Sequence, residues 1–388
     1  MNMQDARVIV VLTGMSRARV RAHRSLKNLQ RRLKEELMRV EHARLVRIRH
    51  YITAPCLPRP DVAPWMYMWF FGTDENFLNV TSLCRRSFNR LLERFKLFYI
   101  IPRFSPKGGR PKKLQEHHQV LGLLLAFYVD SMQHKSLCST FGLPHSTLSR
   151  VLADAEVAMK ETLAGFSPAR IVWPTLARQK ALSRLTAARS TLLPFTWGFI
   201  DGKNYRVQEP SHPDVQNAHY NGWLHCVYVT GTLCFGADGL IVWCKHNCPG
   251  SWNDSDTSLE FREKLSDPSL NPDPRYGVIA DSAFPCGEDM VGRIMTPLKD
   301  GDLGRLVPSV RAVAQLKSTA ITFVRQTAEW GMGSVEKVYR RLLHPLPYDK
   351  EKRKLRLNNL FRLANYRVRT VEISQIRTVF VQGREDNK

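Results

Sequence analysis

Three acidic residues in the C-terminal half sit where carboxylates do chemistry rather than solvate a surface. Phe-Ile-Asp (199–201) and Ile-Ala-Asp (279–281) each run the apolar residues of a strand into one aspartate, with glycine or serine immediately after. A carboxylate at the end of a buried strand is costly to leave unpaired, and two side by side raise each other's pKa. A divalent cation resolves both problems. Mg²⁺ prefers oxygen ligands and keeps several waters, so it asks for a few carboxylates rather than a full protein cage. Two such ions about 4 Å apart activate an attacking water and stabilise the leaving oxygen of a phosphodiester. A third carboxylate is expected from a helix facing that sheet edge. Residues 325–342, RQTAEWGMGSVEKVYRRL, offer Glu329 and, as the alternative, Glu336; seven apart, they share roughly one helical face. Arg325, one turn before Glu329, would orient it or touch a phosphate. Asp254, in PGSWNDS (249–255), is either a fourth acid or the cap of the helix that begins there. Singly, each acid is what turns, caps and surface ion pairs use, and Asp201-Gly202 is a common turn dipeptide. The joint pattern of two strand-end aspartates and one helical glutamate is what points to metal.

The elements that must position these acids read as α/β. FTWGFID (195–201), LHCVYVTGTLCFG (224–236) and LIVWCKHN (240–247) are β-rich runs, with Asp238-Gly239 a hairpin turn between the last two. A helix over 255–265, a short buried strand over 276–281 and a helix over about 326–343 complete a mixed sheet covered by helices. Upstream the chain is helical. VTSLCRRSFNRLLERFKLF (80–98) has Thr81 or Ser82 as its expected cap, and HHQVLGLLLAFYVDSM (117–132) is a buried helix. KSLCSTFGLPHSTLSRVLADAEVAMKETL (135–163) gives a helix, a turn at Gly142-Leu143-Pro144 and a second helix from near Ser146. That is a helix-turn-helix pattern, with His145, Ser146, Thr147, Ser149 and Arg150 on the first turns of a recognition helix; a plain helical hairpin has the same pattern. Three regions are expected: a basic helical extension with its linker (1–65), a helical region with the helix-turn-helix (66–190) and an α/β domain that carries the acids (191–380).

Charge is distributed unevenly. The net charge is +23. Residues 1–200 hold 32 Lys and Arg against 13 Asp and Glu, residues 201–330 hold 12 against 16, and residues 331–388 hold 14 against 6. Basic surfaces bind polyanions through counterion release. A merely basic, ribosomal-type protein would show the same total but not the acidic middle. Residues 16–51 alone carry twelve Lys and Arg and three Glu, with Leu26, Leu29, Leu33, Leu37 and Val40 at helical spacing. This amphipathic helix would lie on nucleic acid, pair with another helix or stay solvated. Pro55, Pro58, Pro60 and Pro64 mark one linker. SPKGGRPKK (105–113) is a second, in which Gly-Arg-Pro between lysines resembles an AT-hook core or a nuclear-import signal. Lys107, Arg110, Lys112 and Lys113 would then be DNA contacts; a flexible basic linker is the plainer reading.

Other classes fit poorly. The eight cysteines include no Cys-x-x-Cys pair, which speaks against a disulfide framework and suits a reducing compartment. CKHNC (244–248) lacks the second cluster that a zinc site needs, so buried strand cysteines account for it. The longest apolar run, LGLLLAFYV (121–129), is roughly half a membrane span, and no secretory leader is expected. An intracellular protein is expected.

Beyond composition, FIDGKN (199–204), HYNGWLHCVYV (219–229), NCPGSWNDSDTS (247–258), VIADSAFP (278–285), and AEWGM (328–332) followed by Val335, Tyr339 and Leu342 resemble Harbinger-type transposases and their derived nucleases. These belong to the DDE superfamily, whose catalytic domain is ribonuclease H-like. The resemblance spans roughly residues 80–375 and is strongest over 196–345. It implies Asp201, Asp281 and Glu329 as the catalytic, metal-binding triad with two Mg²⁺ or Mn²⁺ ions, and Lys203 beside the scissile backbone. It also implies action in the nucleus on double-stranded DNA, a Myb-like DNA-binding partner, a homo-oligomeric assembly and no membrane. There are departures: Phe284 stands where the family commonly has Tyr, Trp330 follows Glu329 in place of Arg, and the last helix reads Leu363-Ala364-Asn365 in place of Leu-His-Asn. None removes a carboxylate. The alternatives are a domesticated, catalytically silent DNA-binding protein with the same fold, and a basic scaffold whose acids are structural.

Overall fold

The computed structural model describes residues 3–49, 52–102, 111–131, 133–209, 213–222, 225–284, 287 and 290–382. The chain forms two compact units, Met1–Leu57 and Pro58–Lys388. The first holds one long helix, α1 (Met3–Arg49). Its leucine stripe, Leu26, Leu29, Leu33 and Leu37, is more than half exposed within the chain.

The second unit begins with helices. These are α2 (Pro64–Phe71), α3 (Asp74–Thr81), α4 (Arg85–Phe95), α5 (His117–Val129), α6 (His134–Phe141), α7 (His145–Leu163) and α8 (Leu176–Arg189). In α5 every residue from His118 to Tyr128 is buried, as suits a helix with no polar face. Thr81 and Ser82 do not cap the helix that follows them. They close α3, with Ser82 left-handed at φ 64°, and Cys84 stands at the N-cap of α4. The Arg85 backbone N–H is taken by Asp74 Oδ1 at 2.7 Å, which removes the need for a local cap. Gly142, at φ +67°, turns the chain between α6 and α7.

The sheet region follows with β1 (Thr196–Arg206), α9 (Pro213–His219), β2 (Tyr220–Asn221), β3 (Cys226–Gly236) and β4 (Ile241–Pro249). Then come α10 (Asp254–Ser266), β5 (Gly277–Ile279), β6 (Ile294–Met295), α11 (Asp302–Arg305), α12 (Pro308–Val338), α13 (Lys350–Thr370) and α14 (Gln375–Phe380). β1, β3 and β4 form an antiparallel meander, and β5 and β6 join β1 in parallel on the other side. This is the expected mixed α/β class, a mixed sheet flanked by helices and preceded by an all-helical region.

Helices cover both faces. On one, Phe261 of α10 meets Trp173, Trp197 and Trp243. On the other, Phe199 meets Phe380 of α14 at 5.5 Å, and α12 lies so close to the sheet that a Cβ at Gly331 would stand 2.9 Å from the Phe235 ring. α13 ties the helical region to the sheet. Arg356 forks onto Glu156 of α7 at 2.7 and 3.0 Å, and Tyr128 of α5 donates to the same carboxylate at 3.1 Å, all buried. A buried pair so fully hydrogen-bonded costs several kcal/mol to break from one side. Asn365 accepts from Ile241 N–H and donates to Ile241 O, both at 2.8 Å, fixing the start of β4.

Two expectations about element length change. β1 does not end at Asp201 but continues to Arg206, paired throughout with β3. The helix expected from about residue 326 begins instead at Pro308, whose missing N–H and fixed φ suit a helix start.

Candidate active site

Asp201 lies within β1, opposite Leu233 of β3. Side chains alternate along a strand, so Asp201 shares the face of Phe199, the face that α12 and α14 cover. Burial pushes its carboxyl up to about 6. The Gly202 N–H, donating to Oδ1 at 2.8 Å, and the Arg325 guanidinium act against that rise; Asp281 and Asp254 add to it. Gly202 is not a turn residue. A Cβ there would point to the opposite face of the sheet, that of α10, and crowd Asp254 Oδ1, so Asp254 would have to turn aside for any side chain at 202.

Asp254 opens α10 but does not cap it. Asn253 does, accepting from Asp256 N–H at 3.0 Å while Asp256 reaches back in a capping box. Asp254 is thereby left to face the strand. Its pKa is raised by burial and then by Asp281. Asp281 follows β5 by two residues and accepts from Ser282 N–H at 2.7 Å. Three aspartates, from β1, α10 and the segment just after β5, therefore lie near enough to feel one another's charge.

α12 supplies the fourth side of the site. Its buried stripe, Ile321, Val324, Ala328, Gly331 and Val335, sets the helix on the sheet, and Gly331 sets how closely. Arg325 and Glu329 flank that stripe. The Arg325 guanidinium lies 3.7 Å from Asp281 Oδ1 and 3.2 Å from Glu329 Oε1, bridging the two acids. Asp281 and Glu329 are 41% and 53% exposed, so solvent and solutes reach them. Glu336 lies elsewhere: it pairs with Lys203 at 2.9 Å, both half-buried. Seven residues of helix span about 10 Å, so Glu329 and Glu336 do not reach the same point on β1.

The donor chemistry suits a hard divalent cation: all oxygen, with one carboxyl buried, strained by its neighbours and exposed acids beside it. Among the described residues, however, no three His, Cys, Asp or Glu close on a point where an ion would be chelated. Arg325 supplies the positive charge there.

The expected DNA contacts are spread over other surfaces. Ser146, Ser149 and Arg150 are exposed on the first turns of α7, while His145 and Thr147 are partly covered. His145 Nε2 lies 3.1 Å from His134 Nδ1. Lys113 is exposed, whereas Lys112 reaches back to Ile100 O at 3.3 Å and over the Tyr99 ring. Lys107 and Arg110 lie outside the described residues. Among the described residues no helix is long and apolar enough to cross a membrane. Cys244 and Cys248 are free thiols of β4.

Residues 200–365 match a family model described as DDE superfamily endonuclease; the match contains Asp201, Asp254, Asp281 and Glu329. No curated protein matches the chain at a significant level. A solved structure of the Mos1 transposase paired-end complex with left transposon end is 13% identical. That alignment covers 71% of this chain and 92% of that one at a TM-score of 0.16, too slight a likeness to support an argument.

Proposed function

We propose that this chain is a metal-dependent DNA endonuclease of the transposase type, with Asp201, Asp281 and Glu329 as the acids that hold divalent ions, Mg²⁺ or Mn²⁺. The observation that carries the reading is the convergence of Asp201, Asp281 and Glu329 around Arg325, inside the stretch that matches the endonuclease family. When bound, divalent metal supplies positive charge at the attacking and leaving oxygens of a phosphodiester. The chain's own residues do the rest. Asp201 is held rigid by strand pairing and by the Gly202 N–H. Asp254, pressed against Gly202, adds negative charge that favours a cation. Arg325 holds Asp281 and Glu329 in place until a cation takes over. Glu336, paired with Lys203, stands outside the acid set. On this reading the enzyme acts in the nucleus on double-stranded DNA held partly by the first turns of α7, with a Myb-like protein or further copies of itself helping to select the site.

A second reading has its own observation. Arg325 already neutralises two acids, and no three acids close on an ion among the described residues. A domesticated, silent DNA-binding protein would look the same. Nicking of supercoiled plasmid with Mg²⁺ or Mn²⁺ separates the two, comparing wild type with Asp201→Asn and Asp281→Asn at matched DNA affinity. Metal-dependent nicking lost in both variants supports the nuclease. Salt-sensitive binding without nicking supports the silent binder, and nicking that survives both substitutions refutes this acid set.

A further inference from the structure

A second charged site lies outside the acid cluster and shares no residue with it. Between α4, the short turn over 167–170 and the end of α13 is a concave, solvent-open cavity of about 450 Å³. Arg90, Ser167, Arg170, Val172, Arg369 and Thr370 line it, and no carboxylate does. Arg369 and Arg90 are held by neutral partners. Arg369 Nη1 donates to Pro168 O at 2.7 Å and to Arg170 O at 3.0 Å, which pins the end of α13 to the turn. Arg90 lies over the Phe166 ring at 5.6 Å, with Arg94 also against that ring at 5.4 Å. Arg94 in turn donates to Thr162 O and Ala164 O at 2.6 and 2.7 Å, and Arg362 to Leu163 O at 3.1 Å. Among the described residues, Arg90, Arg170 and Arg369 have no ion-pair partner; the nearby Asp238 is paired with Arg178. The pKa of Arg369 is lowered by burial, with the Arg178 and Arg170 cations adding to the fall against Asp238. Arg170, Arg178 and Arg369 thus lie close enough to repel one another, with Asp238 as the acid that partly offsets them.

We propose that this groove binds the sugar-phosphate backbone of double-stranded DNA. Guanidinium forks match phosphate geometry, and the Ser167 hydroxyl is the kind of donor that accompanies them on phosphates; the Thr370 hydroxyl already donates to Tyr366 O at 2.8 Å. A groove open to solvent accepts a continuous backbone, and main-chain anchoring orients Arg369 before DNA arrives. The proposal rests on the DNA reading above and adds to it a grip that shares no residue with the first turns of α7 or with the acids. It positions a duplex and reads no bases.

The test uses the full chain in EDTA, so that cleavage plays no part. Arg90 and Arg170 are exposed, and their side chains donate no hydrogen bond among the described residues, so Arg90→Ala/Arg170→Ala should melt like wild type. Binding of a fluorescent duplex of arbitrary sequence is followed by anisotropy across a salt series. Every phosphate that the protein no longer neutralises lowers the slope of log K against log salt by about 0.9. The double variant should lose roughly 2 from that slope and bind about tenfold or more weakly, and Arg90→Lys/Arg170→Lys should recover most of the slope. A double variant with the wild-type slope overturns the groove while leaving the DNA reading intact. A wild type that shows no salt-dependent binding overturns both.

Discussion

Replacing Asp201 with asparagine should make the metal-free protein more stable, and should do so only above acidic pH. Asparagine keeps the oxygen that accepts the Gly202 N–H and removes the charge. In the folded chain the Asp201 carboxyl is pushed up to about 6, first by burial and then by Asp281 and Asp254, against the Gly202 N–H and Arg325. The folded state thus binds this proton more tightly than the unfolded state, whose aspartates titrate near 3.9. Ionised Asp201 therefore costs stability. The cost is absent below about pH 4, grows as pH rises toward 6 and is fully present above it. A rise of about two in pKa, at about 1.4 kcal/mol per tenfold, amounts to about 3 kcal/mol. Denaturant unfolding in EDTA from pH 4 to 8, followed through tryptophan fluorescence, should show Asp201→Asn ahead by about that amount at pH 8 and level with wild type near pH 4. Mg²⁺ should close part of the gap by binding only the wild-type folded state. A variant that is less stable than wild type at pH 8, or a gap independent of pH, would refute the reasoning and make Asp201 a structural acid.

Two further substitutions divide the roles on α12. Arg325→Gln removes the cation that bridges Asp281 and Glu329, so Mn²⁺ binding measured by calorimetry should tighten by roughly fivefold, for an ion pair worth about 1 kcal/mol; unchanged or weaker binding would show that Arg325 does not compete with metal. Lys203→Met strands the half-buried Glu336 and should lower stability by about 1–3 kcal/mol, most of it recovered in Lys203→Met/Glu336→Gln. Metal-dependent nicking should survive Glu336→Gln and fail in Glu329→Gln; the reverse would move the third acid to Glu336.

The sheet was legible because its signals are local. Alternating apolar runs, the Asp238-Gly239 turn and the change of period after residue 195 need no knowledge of the rest of the chain. Where β1 stops was not legible. Asp201-Gly202 looks like a turn, and only the pairing partner, Tyr228–Leu233 on β3, shows that the strand continues. The glycine of that dipeptide also has a long-range neighbour that no local pattern shows, since Asp254 Oδ1 lies where its Cβ would stand. Asp254 itself was ambiguous for a physical reason. Asn253 and Asp256 satisfy the start of α10 between them, and a sequence does not show which of two adjacent polar residues takes the cap and which is left over.

The pairings that decide the acid set are of the same long-range kind. Arg325 and Glu329 are neighbours by helical spacing, but that Arg325 also reaches Asp281 depends on how deeply α12 sits, and therefore on Gly331 against Phe235. Glu336 looked equivalent to Glu329 because both share a helical face. What separates them is translation along the helix axis. About 10 Å of rise carries Glu336 past Asp201 to Lys203, where a cation two residues further along the same strand face takes it up. The lysine expected beside the scissile backbone is, in the fold, the ion-pair partner of Glu336.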